Sequence, residues 1–318
     1  MRAVTVVAGE IHVVEHPDPK PGAGEVLVRV EAAGLNAADL LQRRGFYPAP
    51  PGAPADIPGL ELAGEVVALG PGVTRFAEGD AVMALAAGGA QAELAVVHER
   101  VAMPVPRGLD PAEAGGFPET FTTAHDALFT QCRLGMGERV CVHGAAGGVG
   151  TAAVQLAAAA GALVTATVRN AALRDDVAAL GSTVGWAEVV DPDVFADRGP
   201  FDVILELVGA PNMAQNLRAL AAGGRISVIG VGAGGTAEVD LLLLMQKRAR
   251  VHGSTLRARP LEEKAAAARA VERHVLPLLE AGDIRVPVEE TYALDDAPAA
   301  YERFAAGGKL GKIVLTTG

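Results

Sequence analysis

Residues 138–161 read ERVCVHGAAGGVGTAAVQLAAAAG, which predicts a strand, a glycine-rich loop and a helix in direct succession. The opening β-branched run suits a parallel strand that is buried on both faces. Gly144, Gly147 and Gly150 give the loop positions without side chains, where the backbone can turn tightly or lie close to another group. The following residues favour helix because Ala, Leu and Gln dominate, and Gly161 is placed to end that helix.

A glycine loop between a strand and a helix is the unit with which dinucleotide-binding proteins hold a pyrophosphate at the positive end of the helix. The glycines here are evenly spaced and do not follow G-x-G-x-x-G. Residues 163–168 nevertheless predict a second strand, which completes a βαβ unit of about 30 residues. We therefore predict a pyrophosphate site. The residues expected to contact it are Gly144, Ala146, Gly147, Gly148, Val149 and Gly150.

The end of the second strand favours NADP(H) as the cofactor. An acidic side chain at this point normally binds the ribose hydroxyls of NAD. Residues 167–170 read TVRN, so no acid is present and Arg169 stands where the ribose 2′ group should lie. A guanidinium suits a phosphate because its donors form a fork.

Composition limits the class of protein. A chain of 318 residues exceeds the size at which a single core stops growing, so two domains are expected. The net charge of −11 argues against nucleic-acid and anionic-membrane partners, which need a basic face. No signal segment or membrane span is predicted, which favours a cytoplasmic location. Cys132 and Cys141 are too few for a disulfide framework or a four-thiolate zinc site.

The order of the predicted elements divides the chain into two parts. Short alternating strands such as 25–31 and 62–69 lie between Pro- and Gly-rich connectors, which predicts a mostly antiparallel β domain. After Asp110, helices alternate with strands, which predicts an α/β domain with a doubly wound parallel sheet. A turn is predicted over 221–225 and a long amphipathic helix over 261–279.

Four blocks of sequence, in order along the chain, carry a resemblance to a known family: 33–45 followed by Tyr47-Pro48, then 58–64, 143–156 and 311–315. The sequence resembles the zinc-free quinone oxidoreductases of the medium-chain dehydrogenase/reductase superfamily, the zeta-crystallin-like group. The resemblance implies a GroES-like, mostly β catalytic domain of residues 1–117 and 258–318 around a Rossmann NADP(H)-binding domain of residues 118–257. It also implies a homodimer joined through edge strands.

The zinc alcohol dehydrogenases of the same superfamily need a thiolate and an imidazole at two positions that can be compared here. Asn36 stands where the cysteine would be, and Leu60 stands where the histidine would be. No cluster of Cys and His replaces them, so we predict no catalytic metal. Without a Lewis acid, an alkoxide or a plain ketone is poorly stabilised. Quinones and conjugated enones remain accessible because their negative charge spreads over a ring or an enolate.

The resemblance also implies the roles of individual side chains. Asn36 is expected to hydrogen-bond the carbonyl oxygen of the acceptor or a ribose hydroxyl. Tyr47 is expected to stack on a planar ring and to donate a proton, and Thr123 to lie against the nicotinamide face. Glu61 is expected to form a buried structural pair, and His143 to be a packing residue.

The remaining cofactor contacts that the resemblance implies are Gly230, Val231, Arg257 and Lys312. The chain also departs from the family near the adenosine phosphate. Ala171 and Ala172 replace a family lysine, and Asp191 replaces a family tyrosine. Arg169 must therefore carry more of the phosphate charge, with Arg174 one helical turn further on to assist it.

The sequence thus predicts an NADPH-dependent, zinc-independent quinone oxidoreductase, and two alternatives stay open. An NADPH-dependent reductase of conjugated enones or enals would share every motif and differ only in the shape of its pocket. A non-enzymatic NADPH-binding or sensing protein would keep the cofactor site and turn over no acceptor, since fold and cofactor site do not by themselves determine the reaction.

Overall fold

The computed structural model describes residues 1–318, which form two compact units. The first unit contains Met1–Thr122, Leu256–Glu280 and Val286–Gly318, and so uses both ends of the chain. The second unit contains Thr123–Thr255 and Ala281–Arg285. The predicted fold class, a β-rich unit together with a doubly wound parallel sheet, is confirmed.

Strands and helices alternate along most of the chain. The strands are β1 (Arg2–Val7), β2 (Glu10–Glu15), β3 (Glu25–Gly34), β4 (Glu61–Leu69), β5 (Ala81–Leu85), β6 (Leu94–His98), β7 (Ala102–Pro104), β8 (Arg139–Val142), β9 (Leu163–Thr167), β10 (Trp186–Val190), β11 (Phe201–Glu206), β12 (Leu220–Val228), β13 (Arg250–Gly253), β14 (Val288–Ala293) and β15 (Lys312–Thr316). The helices are α1 (Ala37–Arg43), α2 (Pro111–Gly116), α3 (Pro118–His125), α4 (Gly148–Ala159), α5 (Arg174–Ser182), α6 (Met213–Ala219), α7 (Leu241–Lys247), α8 (Leu261–His274), α9 (Leu276–Glu280) and α10 (Ala297–Ala306).

The first unit is built on a seven-stranded sheet in the order β14-β15-β3-β4-β5-β7, with β6 also paired to β3. All of its pairings are antiparallel except that of β14 with β15. Buried Val26, Val28 and Val30 alternate along β3 and contribute to a core of Val, Leu and Ala side chains. Because β15 lies between β14 and β3, its first residue, Lys312, is buried.

The second unit holds a six-stranded parallel sheet in the order β10-β9-β8-β11-β12-β13. The chain runs outward from β8 through β9 to β10 and then returns to β11 on the other side of β8. The strand order therefore reverses between β8 and β11. Doubly wound sheets bind their ligands at such a point, beyond the carboxyl ends of the strands.

Two predicted elements differ from the structure. Residues 221–225, predicted as a turn, lie within β12, but Leu220 and Arg225 pair with β11 residues only two positions apart, so the residues between them leave the ladder as an irregular bulge. The helix predicted over 261–279 is two helices, α8 and α9. Pro277 has no N–H with which to continue the hydrogen bonds of α8, so the helix ends before it.

We expect Gly150→Ala to destabilise the second unit. A Cβ atom at this position would lie 2.5 Å from the carbonyl oxygen of Gly144 and 2.6 Å from the Cα atom of Ala145. Because both are backbone atoms of the tight loop, relief requires the loop to move, at a cost of about 1–3 kcal/mol. Denaturant unfolding measures the loss. Gly235→Ala is the control, since a Cβ there would meet nothing within 4 Å; equal stability of the two variants would contradict the prediction.

Candidate functional site

The glycine loop between β8 and α4 has the geometry that a pyrophosphate requires. Gly144 has a φ of +62°, which favours glycine, and its carbonyl oxygen accepts a hydrogen bond from Gly147 N–H at 3.1 Å. No side chain caps the N-terminus of α4, so the N–H groups of its first turn are available to an oxyanion. Of the predicted contacts, Gly150 is buried against the loop and the others are partly exposed. These residues fit the pyrophosphate of a dinucleotide.

The carboxyl ends of β9 and β10 lie side by side. Val168 N–H donates to the carbonyl oxygen of Val190 at 3.1 Å, just beyond the ladder. Arg169 follows at this edge with an exposed side chain that makes no hydrogen bond or ion pair with the protein. Arg174 donates through Nε to the Val168 oxygen at 2.9 Å and pairs through Nη2 with the carboxylate of Asp191. At this edge, therefore, the guanidinium of Arg169 is open to a ligand, whereas Arg174 has Nε and Nη2 engaged within the protein.

The other predicted contacts of the second unit occupy two places. A Cβ at Gly230 would collide with the carbonyl oxygen of Leu207, so glycine is needed where the chain leaves β12 close to the end of β11. The next residue, Val231, is apolar and 45% exposed. Both lie beyond carboxyl ends of parallel strands, at the edge of the sheet that also carries the glycine loop. Thr123 is half-buried on α3.

The first unit contains a buried ion pair between Lys312 and Glu61, which begin β15 and β4. Lys312 Nζ lies 2.6 Å from Glu61 Oε1, and the two side chains are 3% and 0% exposed. Nζ also donates to the Leu35 carbonyl oxygen at 2.6 Å and to Asn36 Oδ1 at 2.9 Å, so all three ammonium hydrogens are used. Glu61 Oε2 accepts from Glu119 N–H at 2.8 Å. The predicted buried pair of Glu61 is confirmed, with Lys312 as its partner.

This ion pair fixes the orientation of Asn36. Since an ammonium only donates, the atom of Asn36 that faces Lys312 must be Oδ1. Nδ2 then donates to Glu61 Oε1 at 2.9 Å and to the Gly34 oxygen at 3.2 Å. Asn36 can therefore accept a hydrogen bond from a hydroxyl, such as that of a ribose. To donate one to a carbonyl it would have to lose a partner, and Lys312 likewise has no hydrogen left for a cofactor.

Arg257 supports Tyr47 from within the first unit. Its Nη1 donates to the Tyr47 carbonyl oxygen at 3.0 Å, and the guanidinium lies 5.3 Å from the centre of the Tyr47 ring. Nε and Nη2 donate to Ala87 and Gln42 at 2.7 and 2.6 Å. The Tyr47 hydroxyl has no protein partner. Burial, with the nearby carboxylate of Glu119, raises the pKa of Tyr47, so the hydroxyl stays protonated at neutral pH and can donate a hydrogen bond.

Sequence reasoning missed Asp39, which the fold buries at the start of α1. Its carboxylate accepts from the N–H groups of Asn36 at 2.8 Å and Gly59 at 3.2 Å, and from Gln91 Nε2 at 3.2 Å. Burial raises the pKa of Asp39 to about 6, although the Asn36 N–H and the Lys312 charge oppose the shift. The signal for this residue was its position three after Asn36, the spacing of a helix capping box.

Asn36 and Leu60 occupy the two positions at which the sequence predicts the loss of a zinc ligand. Leu60 is 2% exposed and offers no ligand atom. No group of three or more His, Cys, Asp or Glu side chains is arranged so that it could hold a metal ion. The polar atoms of Asn36 are instead satisfied by Lys312, Glu61 and backbone groups.

A second buried network, under the glycine loop, accounts for His143. Its Nε2 lies 2.7 Å from Asn216 Oδ1 and its Nδ1 lies 3.0 Å from Thr167 Oγ1. Asn216 also donates to Glu206 at 2.7 Å, and Glu206 accepts from backbone N–H groups beyond β11. Burial lowers the pKa of His143. The imidazole is therefore neutral and fully buried, as expected for a packing residue.

The two-unit fold and the open glycine loop are those expected of a dehydrogenase or reductase whose parallel-sheet unit has a nucleotide-binding form. Family comparison agrees with this class. The alcohol dehydrogenase GroES-like domain matches residues 22–107, and the zinc-binding dehydrogenase family matches residues 184–315.

Curated proteins of similar sequence include several quinone oxidoreductases. The chain is 32% identical to that of Rattus norvegicus, over 93% of this chain and 90% of the relative. It is 34% identical to that of Pseudomonas aeruginosa, over 96% of each. It is also 37% identical to a segment of erythronolide synthase from Saccharopolyspora erythraea, which covers 92% of this chain but 8% of that protein.

Comparison with solved structures agrees with the comparison of sequences. An alcohol dehydrogenase superfamily protein from Novosphingobium aromaticivorans is 29% identical with a TM-score of 0.87 over all of both chains. A mycobacterial protein complexed with NADPH is 28% identical with a TM-score of 0.85, over 99% of this chain and 100% of that one. The chain belongs to the quinone oxidoreductase family of the medium-chain dehydrogenase/reductase superfamily. It is an oxidoreductase with a nucleotide-binding dehydrogenase fold, and none of its helices is long and apolar enough to span a membrane.

We expect Lys312→Met to be strongly destabilising, because it leaves the Glu61 carboxylate buried without a counter-charge. Removing one partner of a buried pair costs about 3–5 kcal/mol. Adding Glu61→Gln to the same chain should recover part of the loss. The control is Lys20→Met, which removes a lysine charge from an exposed position. If chemical unfolding gave both single variants the same free energy of unfolding, the structural role of the pair would be wrong.

Proposed function

We propose that this protein is a zinc-independent NADPH:quinone oxidoreductase. The observation that carries the proposal is the saturated cluster of Asn36, Lys312 and Glu61. Asn36 stands where zinc enzymes of the superfamily have a cysteine, and its amide is engaged by protein groups on both sides. A site built in this way suits acceptors that delocalise negative charge by themselves, as quinones do over their ring. When bound, NADPH would supply the hydride.

Tyr47 is the donor to the quinone oxygen in this proposal. Its hydroxyl has no protein partner, and because its pKa is raised we assign it a hydrogen bond to the acceptor rather than the proton donation expected from the sequence. Solvent then supplies the final proton. Arg257 is a positioning residue that holds both the ring and the backbone of Tyr47. Asn36 accepts from a hydroxyl, and Thr123 lies against the nicotinamide.

NADP(H) is the proposed cofactor because Arg169 is exposed at the end of β9 and has no partner in the protein. A phosphate on the ribose would find its fork of donors available. The pyrophosphate would bind the glycine loop and the first turn of α4, with Gly230 and Val231 beside the nicotinamide. The NADPH complex of the similar mycobacterial protein supports this assignment.

A second candidate function is the NADPH-dependent reduction of a conjugated enone or enal. The chain is as similar to a segment of erythronolide synthase as to the quinone oxidoreductases, so sequence similarity alone does not single out quinones. The same hydrogen bond from Tyr47 would stabilise an enolate oxygen. A non-enzymatic NADPH-binding role is the third outcome that the assay below distinguishes.

The function is tested by following NADPH oxidation against ortho- and para-quinones and conjugated enones, with NADH in parallel. We expect turnover of quinones with a preference for NADPH. Arg169→Ala should remove the preference because it weakens the binding of NADPH, whereas Arg107→Ala, at another exposed arginine, should leave the preference unchanged.

Tyr47→Phe should lower kcat about 100-fold, because loss of one donor to an oxyanion has an effect of this size. Tyr292→Phe is the control and should leave kcat unchanged.

Three other results of this assay would contradict the proposal, and each has a different meaning. Turnover of enones without quinones would establish the second candidate. Binding of NADPH without turnover of any acceptor would leave the sensing role. Equal use of NADH and NADPH by the unaltered protein and by Arg169→Ala would contradict the assignment of Arg169.

We also propose that the protein is a cytoplasmic homodimer. Apart from the second copy and the cofactor, its proposed partner is a small-molecule acceptor. β13 is the edge strand of its sheet, and α7 buries none of its residues. Leu241, Leu242 and Met245 of α7 are 67%, 63% and 72% exposed. An open strand edge beside a row of exposed apolar side chains is a surface that a second copy could cover.

Light scattering after size exclusion should give twice the chain mass for the unaltered protein. Leu242→Glu should shift the mass towards that of one chain, because a buried carboxylate without a partner opposes association. Val194→Glu, which changes an exposed apolar side chain outside α7, is the control. A single-chain mass for the unaltered protein would contradict the dimer.

A further inference from the structure

We propose that Asp191 sets how strongly this protein prefers NADPH to NADH, by holding Arg174 away from the ribose 2′-phosphate. The inference rests on the proposed function in one respect, the placement of the adenosine end of the cofactor at the edge formed by β9 and β10. Everything else in it follows from contacts within the second unit.

The strand register brings Asp191 to the same edge of the sheet as Arg169, the arginine proposed to bind the phosphate. Thr167 and Val190 are ladder partners at the ends of β9 and β10, and Val168 N–H reaches the Val190 oxygen. The chain therefore leaves both strands at the same edge, with Arg169 following one and Asp191 following the other. A phosphate bound by Arg169 would have the Asp191 carboxylate as a neighbour.

Asp191 and Arg174 hold each other in place. Arg174 is anchored by Nε on the Val168 oxygen at 2.9 Å, and its Nη2 pairs with Asp191 Oδ2. The other carboxylate oxygen accepts from Asp193 N–H at 3.0 Å. That hydrogen bond and the pairing with Arg174 lower the pKa of Asp191, so it is ionised at neutral pH. Both side chains remain partly exposed, at 27% for Arg174 and 42% for Asp191.

The pairing affects the two cofactors differently. A ribose 2′-phosphate carries close to two negative charges at neutral pH, so an adjacent carboxylate repels it, and an arginine whose charge is balanced by that carboxylate offsets less of the phosphate charge. The 2′-hydroxyl of NADH has no charge and can donate to a carboxylate. Ala171 and Ala172, which follow Arg169, supply no further cation. Asp191 therefore reduces the affinity for NADPH and leaves that for NADH unchanged or higher.

Asp191→Asn tests the proposal with little change to the fold. Asn keeps the oxygen that accepts from Asp193 N–H, loses the charge and releases Arg174. We expect the Kd for NADPH to fall about three- to fivefold, the upper part of the range for a partly exposed ion pair, and the Kd for NADH to change less than about twofold. Titration followed by the fluorescence of the reduced nicotinamide measures both constants without any acceptor.

Two further variants separate the release of Arg174 from the simple loss of charge. Asp193→Asn removes the same charge from the same loop without touching Arg174, and it should leave the ratio of the two constants unchanged. Arg174→Gln added to Asp191→Asn should return the Kd for NADPH towards its original value. If the gain persisted in that double variant, the role given to Arg174 would be overturned. Asp191→Ser, which also can cap the turn, replaces Asn if thermal unfolding shows Asp191→Asn to be misfolded.

The failure of this proposal differs from the failure of the proposed function. An unchanged ratio of NADPH to NADH affinity in Asp191→Asn, with both nucleotides still bound, overturns the role of Asp191 alone. Binding of neither nucleotide by the unaltered protein overturns both. Absence of quinone turnover bears only on the proposed function, because no acceptor is present in the titration.

Discussion

The first unit depends on one ammonium buried against one carboxylate, Lys312 against Glu61. Two charges removed from water are stable only when every remaining donor and acceptor is satisfied. Here the backbone oxygen of Leu35, the amide of Asn36 and the N–H of Glu119 complete the set. Because these groups come from distant parts of the chain, the pair joins the start of β4 to the C-terminal strand. It also determines which hydrogen bonds Asn36 has left for a ligand.

The features that could be predicted from sequence are those with local causes. The strand over Arg139–Val142, the loop that follows it and helix α4 were predicted because β-branched runs, glycines and alanine-rich segments act on their own neighbourhood. The absence of an acid at the end of β9 and the presence of Arg169 are equally local facts. A nucleotide-binding parallel sheet can therefore be predicted from these residues without knowledge of long-range contacts.

The choice of side-chain partner could not be predicted in this way. Resemblance placed Lys312 and Arg257 beside a cofactor, but the structure engages Lys312 with a residue 251 positions earlier and Arg257 with one 215 positions earlier. From the sequence, Asp191 is only a departure from the family, because its pairing with Arg174 depends on how β9 and β10 end together. The fold determines which donor meets which acceptor. A match to a family position therefore predicts the residue type but not its hydrogen-bond partners.

The division of the first unit between both chain ends has a consequence for synthesis on the ribosome. The second unit consists of Thr123–Thr255 and the short segment Ala281–Arg285, so all of it except that segment is translated before α8 begins. During that time Glu61 lacks Lys312 as its counter-ion, and β3 lacks β15 as a neighbour, although β4 and β6 are already present. The nascent protein thus acquires its nucleotide-binding half first and closes its β sheet last, when β15 enters between β14 and β3. A stalled chain that ended after β13 would present the strands of the parallel sheet attached to an open β edge, the kind of surface that aggregates.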